Sequence, residues 1–368
     1  MNVSASHSKF ESLRRYFDAD PDNARLRRDC VDAAVAAGEF GFIRELAEKR
    51  LASMPADPEA QFDRATALIG LKDFAGAIDA LRPLDATIPG VRFNTGLCLF
   101  MLGNYAEARP YFSAGYDAGE RSAGQLRLYI RALHFIGDFD TATAIIKDNS
   151  ALIASDSELA GVCAMLAVDT SDIVAGKRFA QISLAGNPNN IDALVAAGTL
   201  SSVEMQFPQA RAAYERALEV QPENSRAWVG LGMLAMGDRN FPAAIAQLER
   251  GLATMPGHIG SWHALAWAHL FGGDIDAAEK VFTHALELNR NFSESHGALG
   301  VIAAMRGDRA SAERFIEIAE RLDPKGMTAK YASTLLATSP HEGRKMLADL
   351  IETVPGHGPR FAAFLRKP

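Results

Sequence analysis

Small and large apolar residues return along this chain at intervals of 34, a period far longer than that of one helix or one strand. Within each interval the apolar positions form two helical stretches split by a short polar turn, which predicts a helix-turn-helix unit. The clearest unit, SRAWVGLGMLAMGDRNFPAAIAQLERGLATMPGH, runs from Ser225 to His258, and the next places Trp262 in the column of Trp228. The register puts unit starts at Ala24, Pro58, Pro89, Ala123, Ser157, Ile191, Ser225, Ile259 and Ser293. Eight units are 34 residues long, and the one from Pro58 is 31.

Two columns of small residues say where the helices touch. The later one reads Ile43, Ala77, Ala108, Ala142, Gly176, Ala210, Ala244, Ala278, Ala312, and the earlier one Val31, Ala65, Gly96, Ile130, Ala164, Gly198, Gly232, Ala266, Gly300. Small side chains at these places let two helix backbones approach closely. Between the columns lies a turn written Gly38-Glu39-Phe40, Lys72-Asp73-Phe74, Gly103-Asn104-Tyr105, Gly137-Asp138-Phe139, Ser171-Asp172-Ile173 and Gly273-Asp274-Ile275. Gly or a polar residue ends the first helix there, and Asp or Asn is placed to cap the second. Pro55, Pro188, Pro222, Pro256 and Pro324 recur where a unit must stop.

Trp, Leu and Gly early in the unit, an aromatic after the turn, then Ala, Phe or Tyr, Ala and Pro: this pattern resembles the tetratricopeptide repeat family. The resemblance covers Ala24 to Gly326, with Arg64, Thr95 and Tyr129 in a column that the family usually gives to Leu. It implies an all-α, right-handed superhelical solenoid of about nine repeats whose first helices form a concave wall. Residues 1–23, with Phe10, Leu13, Tyr16 and Phe17 at helical spacing, are expected to cap the first unit. Residues 327–354 read as a degenerate tenth helix pair, and 355–368 as a linker and a basic C-terminal helix.

The helical period selects the wall residues. They include Phe62, Phe93, Leu97, Phe100, Met101, Phe135, Val162, Met165, Val195, Met233, Met236, Trp267, Leu270, Phe271 and Val301. An apolar strip of that extent is expected to bind a partner, and Met with aromatic side chains suits apolar anchors of several shapes. Arg127 and Arg131, one turn apart, stand mid-groove as a clamp for a ligand carboxylate or as partners of nearby acids. Other wall charges, among them Arg28, Glu59, Asp63, Glu158, Asp192 and Glu294, gather near one rim. The Lys and Asn places of modules that grip acidic chaperone tails are not matched, since Arg28, Asp32 and Asp63 stand there. Nor is there an asparagine ladder.

Composition narrows the function. A net charge of -7 argues against nucleic acid, whose binding rests on clustered Lys and Arg. Cys30, Cys98 and Cys163 form no CxxC pair and read as reduced core residues. No window is apolar enough for a membrane span and the N-terminus carries no secretory signal, so the cytoplasm is the expected compartment. His258, His263, His269, His284 and His296 crowd two units without the spacing of a metal set. No phosphate loop or nucleophile elbow is present. The expectation is a non-enzymatic scaffold or chaperone without cofactor. It would bind an apolar extended or helical segment of a partner, in bacterial secretion or complex assembly. The alternative is a self-assembling protein using the same apolar surface or the open ends of the stack.

Overall fold

The structure, a computed structural model, describes residues 3–337 and 342, 343, 345 and 346. Among them are 21 helices and no strand. α1 (Val3–Ala19) precedes nine helix pairs. These are α2 (Ala24–Ala37) with α3 (Phe40–Ser53), α4 (Pro58–Gly70) with α5 (Phe74–Leu81), and α6 (Pro89–Met101) with α7 (Tyr105–Asp117). Next come α8 (Ala123–Ile136) with α9 (Phe139–Asp148) and its continuation α10 (Ser150–Ser155), then α11 (Ser157–Asp169) with α12 (Ile173–Gly186). They are followed by α13 (Ile191–Val203) with α14 (Phe207–Val220) and α15 (Ser225–Gly237) with α16 (Phe241–Thr254). The last pairs are α17 (Ile259–Phe271) with α18 (Ile275–Leu288) and α19 (Ser293–Met305) with α20 (Arg309–Leu322), after which comes α21 (Met327–Leu335). The expected helix from His341 to Val354 is described at four residues only, and the basic segment from Pro355 lies outside the described residues. The chain divides into two compact units, Met1–Ala193 and Leu194–Pro368.

The turn inside each pair has one backbone solution. Residues 38, 72, 103, 137, 171, 205, 239, 273 and 307 all take positive φ, between 57° and 91°. Five are Gly; Lys72, Ser171, Met205 and Arg239 adopt the left-handed conformation despite their Cβ. Asp73, Asp138, Asp172, Asn240, Asp274 and Asp308 then accept a backbone N–H from the residue three places on, capping the second helix. Asn104, in the same column, makes no such bond.

Both small-residue columns are buried throughout. A methyl group placed on Gly96 would lie 2.9 Å from Phe112, on Gly198 2.6 Å from Tyr214, and on Gly232 2.6 Å from Leu248. Each glycine is the seat of a side chain from the second helix of its own pair. The early tryptophan column serves a different purpose. Trp228 and Trp262 each donate Nε1–H to the carbonyl six residues back, Pro222 and Pro256, at 2.7 Å. Gln61 to Pro55 at 3.2 Å and His296 to Arg290 at 2.9 Å repeat the bond with other donors. That bond satisfies a carbonyl at the end of the preceding helix and fixes the angle at which the next one enters.

Irregularities fall where the sequence departs from register. The 31-residue unit loses its length from α5, eight residues long, which ends just before Arg82-Pro83. α9 breaks at Asn149, whose Nδ2 donates to the Ile145 carbonyl at 2.8 Å and to the Tyr116 hydroxyl at 3.2 Å. At the N-terminal end, α1 buries Phe10 and Phe17 against Cys30, Val31, Ala34 and Ile43. Tyr16, expected among the capping residues, is 66% exposed instead. No helix among the described residues is long and apolar enough to cross a membrane.

Candidate functional site

The first helices present their residues differently at their two ends. In the N-terminal unit, the beginnings of α2 and α4 carry a closed ion-pair network. Glu59 accepts from Arg27 at 3.0 Å, from Arg50 at 2.8 Å, and from Arg28. Arg50 also reaches Asp57 at 2.7 Å. Asp63 lies beneath this network, 3.6 Å from Arg28 and 6% exposed. Burial raises its carboxyl to about 6, against the pull of Arg28. Burial also works against ionised Glu59, but the Arg50 hydrogen bond with the Arg28 and Arg27 charges holds its carboxyl below the usual range.

The mid-groove cations stand beside carboxylates, the second of the two arrangements expected for them. Arg127 faces Glu158 at 4.0 Å, and Arg131 pairs with Asp192, 61 residues further along. Arg131 is hydrogen-bonded to a later first helix, whereas Arg127 only approaches one. Other charges at that rim behave likewise: Arg92 pairs with Glu120, and Glu158 accepts from Asn187 at 2.7 Å.

At the opposite ends, Met101 is 50% exposed and Phe135 57%. Phe135 is held from the side, its ring stacked on Tyr105 at 4.3 Å and 19°. Phe100 meets Tyr105 at 5.1 Å and Phe135 at 6.2 Å. Phe62, Phe93 and Leu97 are half-buried; Phe62 leans on the core around Ala65, Leu81 and Val91, and Phe93 faces Phe112 at 6.5 Å. Met165 is a correction. With Val162 it belongs to the core, because α8 and α12 flank α11 and every residue from Leu159 to Ala167 is buried. Val195, Leu270 and Val301, also read as wall, are buried as well.

In the C-terminal unit, Met233 on α15 is 52% exposed and Phe271 on α17 is 55% exposed. Trp267, one turn before Phe271 on α17, lies half-buried. Its ring stacks on Phe271 at 5.4 Å and meets Phe282 edge-on at 5.4 Å, so it is partly a core residue. Met236 is half-buried against Leu248 and its neighbours. Val203, a wall position by the helical period, is 60% exposed, and sequence reasoning missed the turn edge beside it, where Met205 is 60% exposed and Phe207 51%. The recurrent aromatic after the turn was the available signal. Tyr105 on Phe135, and Phe241 on Phe271 at 6.3 Å, show that this aromatic packs sideways on the end of the next first helix.

The histidines hold structural posts. His263, bonded to Ser295 Oγ at 2.8 Å, is lowered to about 4 by burial and is neutral. His258 caps α17 by accepting from Ser261 N–H, and the His284 ring stands edge-on to Trp262 at 4.4 Å.

The sequence model of the tetratricopeptide repeat matches residues 88–123, 206–258 and 263–326. Cellulose synthase operon protein C of Komagataeibacter sucrofermentans is 37% identical over 59 residues, 16% of this chain and 4% of that protein. Its namesake from Komagataeibacter xylinus is 30% identical over 99 residues, 23% of this chain and 8% of the relative. The matched part thus spans less than a tenth of either relative. Among solved structures, the Cut9 and Hcn1 hetero-tetramer of the APC/C matches over 99% of this chain and 93% of that one, with a TM-score of 0.54 at 14% identity, a likeness of fold. The matched segments carry tetratricopeptide repeats, and the helix pairs that continue the same register along the rest of the chain have the fold of such repeats.

Proposed function

We propose that this chain is a non-catalytic scaffold that holds an apolar segment of a partner polypeptide on the first helices of its C-terminal unit. The observation that carries the reading is that Met233 on α15 and Phe271 on α17 are each about half exposed, Phe271 with its ring stacked on the half-buried Trp267 at 5.4 Å. Aromatic and Met anchors over a packed floor are the chemistry of an interface hot spot. The compartment that goes with this reading is the cytoplasm. Identity to the cellulose synthase operon proteins runs over stretches of 59 and 99 residues, under two and under three repeats, and supports the packing of repeats more than a shared role.

Met233→Asp with Phe271→Asp is the appropriate test, because both side chains are open, whereas Trp267→Asp would also disturb the core. The double variant should keep the helical circular dichroism of the parent and lose a polypeptide that co-purifies with it. Val174→Asp, at a side chain 82% exposed on α12, should retain it. An unchanged set of co-purifying proteins in the double variant would sink the reading. Light scattering over a dilution series separates the competing reading. A mass that falls on dilution, and is already monomeric in the double variant, assigns the surface to a second copy.

A further inference from the structure

The last helix pair differs from those before it. In the two pairs before it, the columns Phe241 and Ile275, and Leu252 and Leu286, pack into cores shared with the first helix of the next repeat. In α20 these columns become Arg309 and Glu320. What results is a groove of about 360 Å³ between one face of α20 and the end of α21. Its floor is apolar, built from Ile316, Leu336 and Met346, and its rim carries Glu313, Glu317, Glu320 and Glu342. Arg309 is the one guanidinium in that lining, and Glu313 at 2.8 Å and the Leu336 carbonyl at 3.1 Å already occupy it.

A terminal repeat needs a polar outer face for solubility, and mixed charge would supply one. Here four carboxylates outnumber the one guanidinium of the lining, with Arg321 3.8 Å from Glu317 at its edge. A cleft with such an excess of one charge above an apolar floor focuses potential on its axis and favours a ligand of the opposite sign. We propose that this groove docks a cationic amphipathic segment of a partner polypeptide. Apolar side chains would cover Ile316, Leu336 and Met346, and Lys or Arg would sit against Glu313, Glu317 and Glu320. The site is separate from Met233 and Phe271, so its failure and that of the scaffold surface are independent.

The test uses the full chain and a fluorescein-labelled peptide of about 15 residues, Lys alternating with Leu at helical spacing, in an anisotropy titration at low and high salt. Saturable binding is expected, weakened by salt and absent for the counterpart in which every Lys is Glu. Glu317→Lys with Glu320→Lys should weaken it about tenfold, while the matched reversal Glu45→Lys with Glu48→Lys on α3 leaves it within about twofold. Equal weakening by both pairs would mean that net charge alone is sensed, and would overturn the proposal. A chain ended at Val354 that binds the peptide about tenfold more tightly would overturn it too, by giving the groove to the chain's own basic end with Arg360, Arg366 and Lys367.

Discussion

Tyr214 is wedged between two first helices, and this gives a prediction of sign. The ring is 3% exposed. A methyl group on Gly198 of α13 would stand 2.6 Å from it, and one on Gly230 of α15 only 2.3 Å. In an open helix, Gly→Ala stabilises by about 1 kcal/mol through backbone entropy. At Gly230 the new carbon would overlap the ring, and overpacking of this kind costs about 1–3 kcal/mol. Displacing the ring also threatens the bond between its hydroxyl and Thr199 Oγ at 3.1 Å, worth about 1 kcal/mol. Gly230→Ala should therefore destabilise by about 1–3 kcal/mol net. Tyr214→Ala removes the obstacle, at its own cost of about 3–5 kcal/mol. In that background Gly230→Ala should turn neutral or stabilising, a coupling of about 2–3 kcal/mol. Trp228, Trp262 and Trp267 all lie in the C-terminal unit, so urea titration followed by tryptophan fluorescence reports on it. A stabilising Gly230→Ala in the parent chain, or an additive cycle, would refute the wedge.

Three further outcomes follow from particular residues. Asp63 has its carboxyl raised by burial from 3.8 to about 6, so its ionised form opposes folding. The N-terminal unit should gain stability as pH falls from about 7 toward 4, and Asp63→Asn should flatten that slope and add on the order of 1 kcal/mol at pH 7.5. Chemical denaturation across pH checks it; an unaltered slope in the variant contradicts it. Met205→Gly relieves a positive φ of 59° and should raise the unfolding free energy read from urea titration by about 0.5 kcal/mol, while Gly273→Ala, at φ 91°, should lower it by about 1 kcal/mol. Equal effects of the two would deny that backbone strain resides in this turn. Cys30, Cys98 and Cys163 are fully buried, and burial pushes the thiols of Cys98 and Cys163 up to about 11 and about 12. A disulfide reagent at pH 8 should count three thiols in denaturant and none within minutes in the native chain.

The nine unit starts, the turn and the two small-residue columns were legible in the sequence because each rests on chemistry local to one repeat. Asp274 caps a helix only a few residues away, and Gly232 meets Leu248 within its own pair. Which side chains stay open was not legible, because that depends on helices contributed by other repeats. Met165 and Met233 hold the same place in their units, yet one is 7% exposed and the other 52%. α8 and α12 cover the flanks of α11, whereas Met233 on α15 is left half open. Arg131 could be read as a ligand clamp until Asp192, 61 residues away, stood beside it. Periodicity therefore determined the register and the partners inside each helix pair. Burial and charge pairing along the wall were decided by tertiary stacking, since both depend on atoms far apart in the chain.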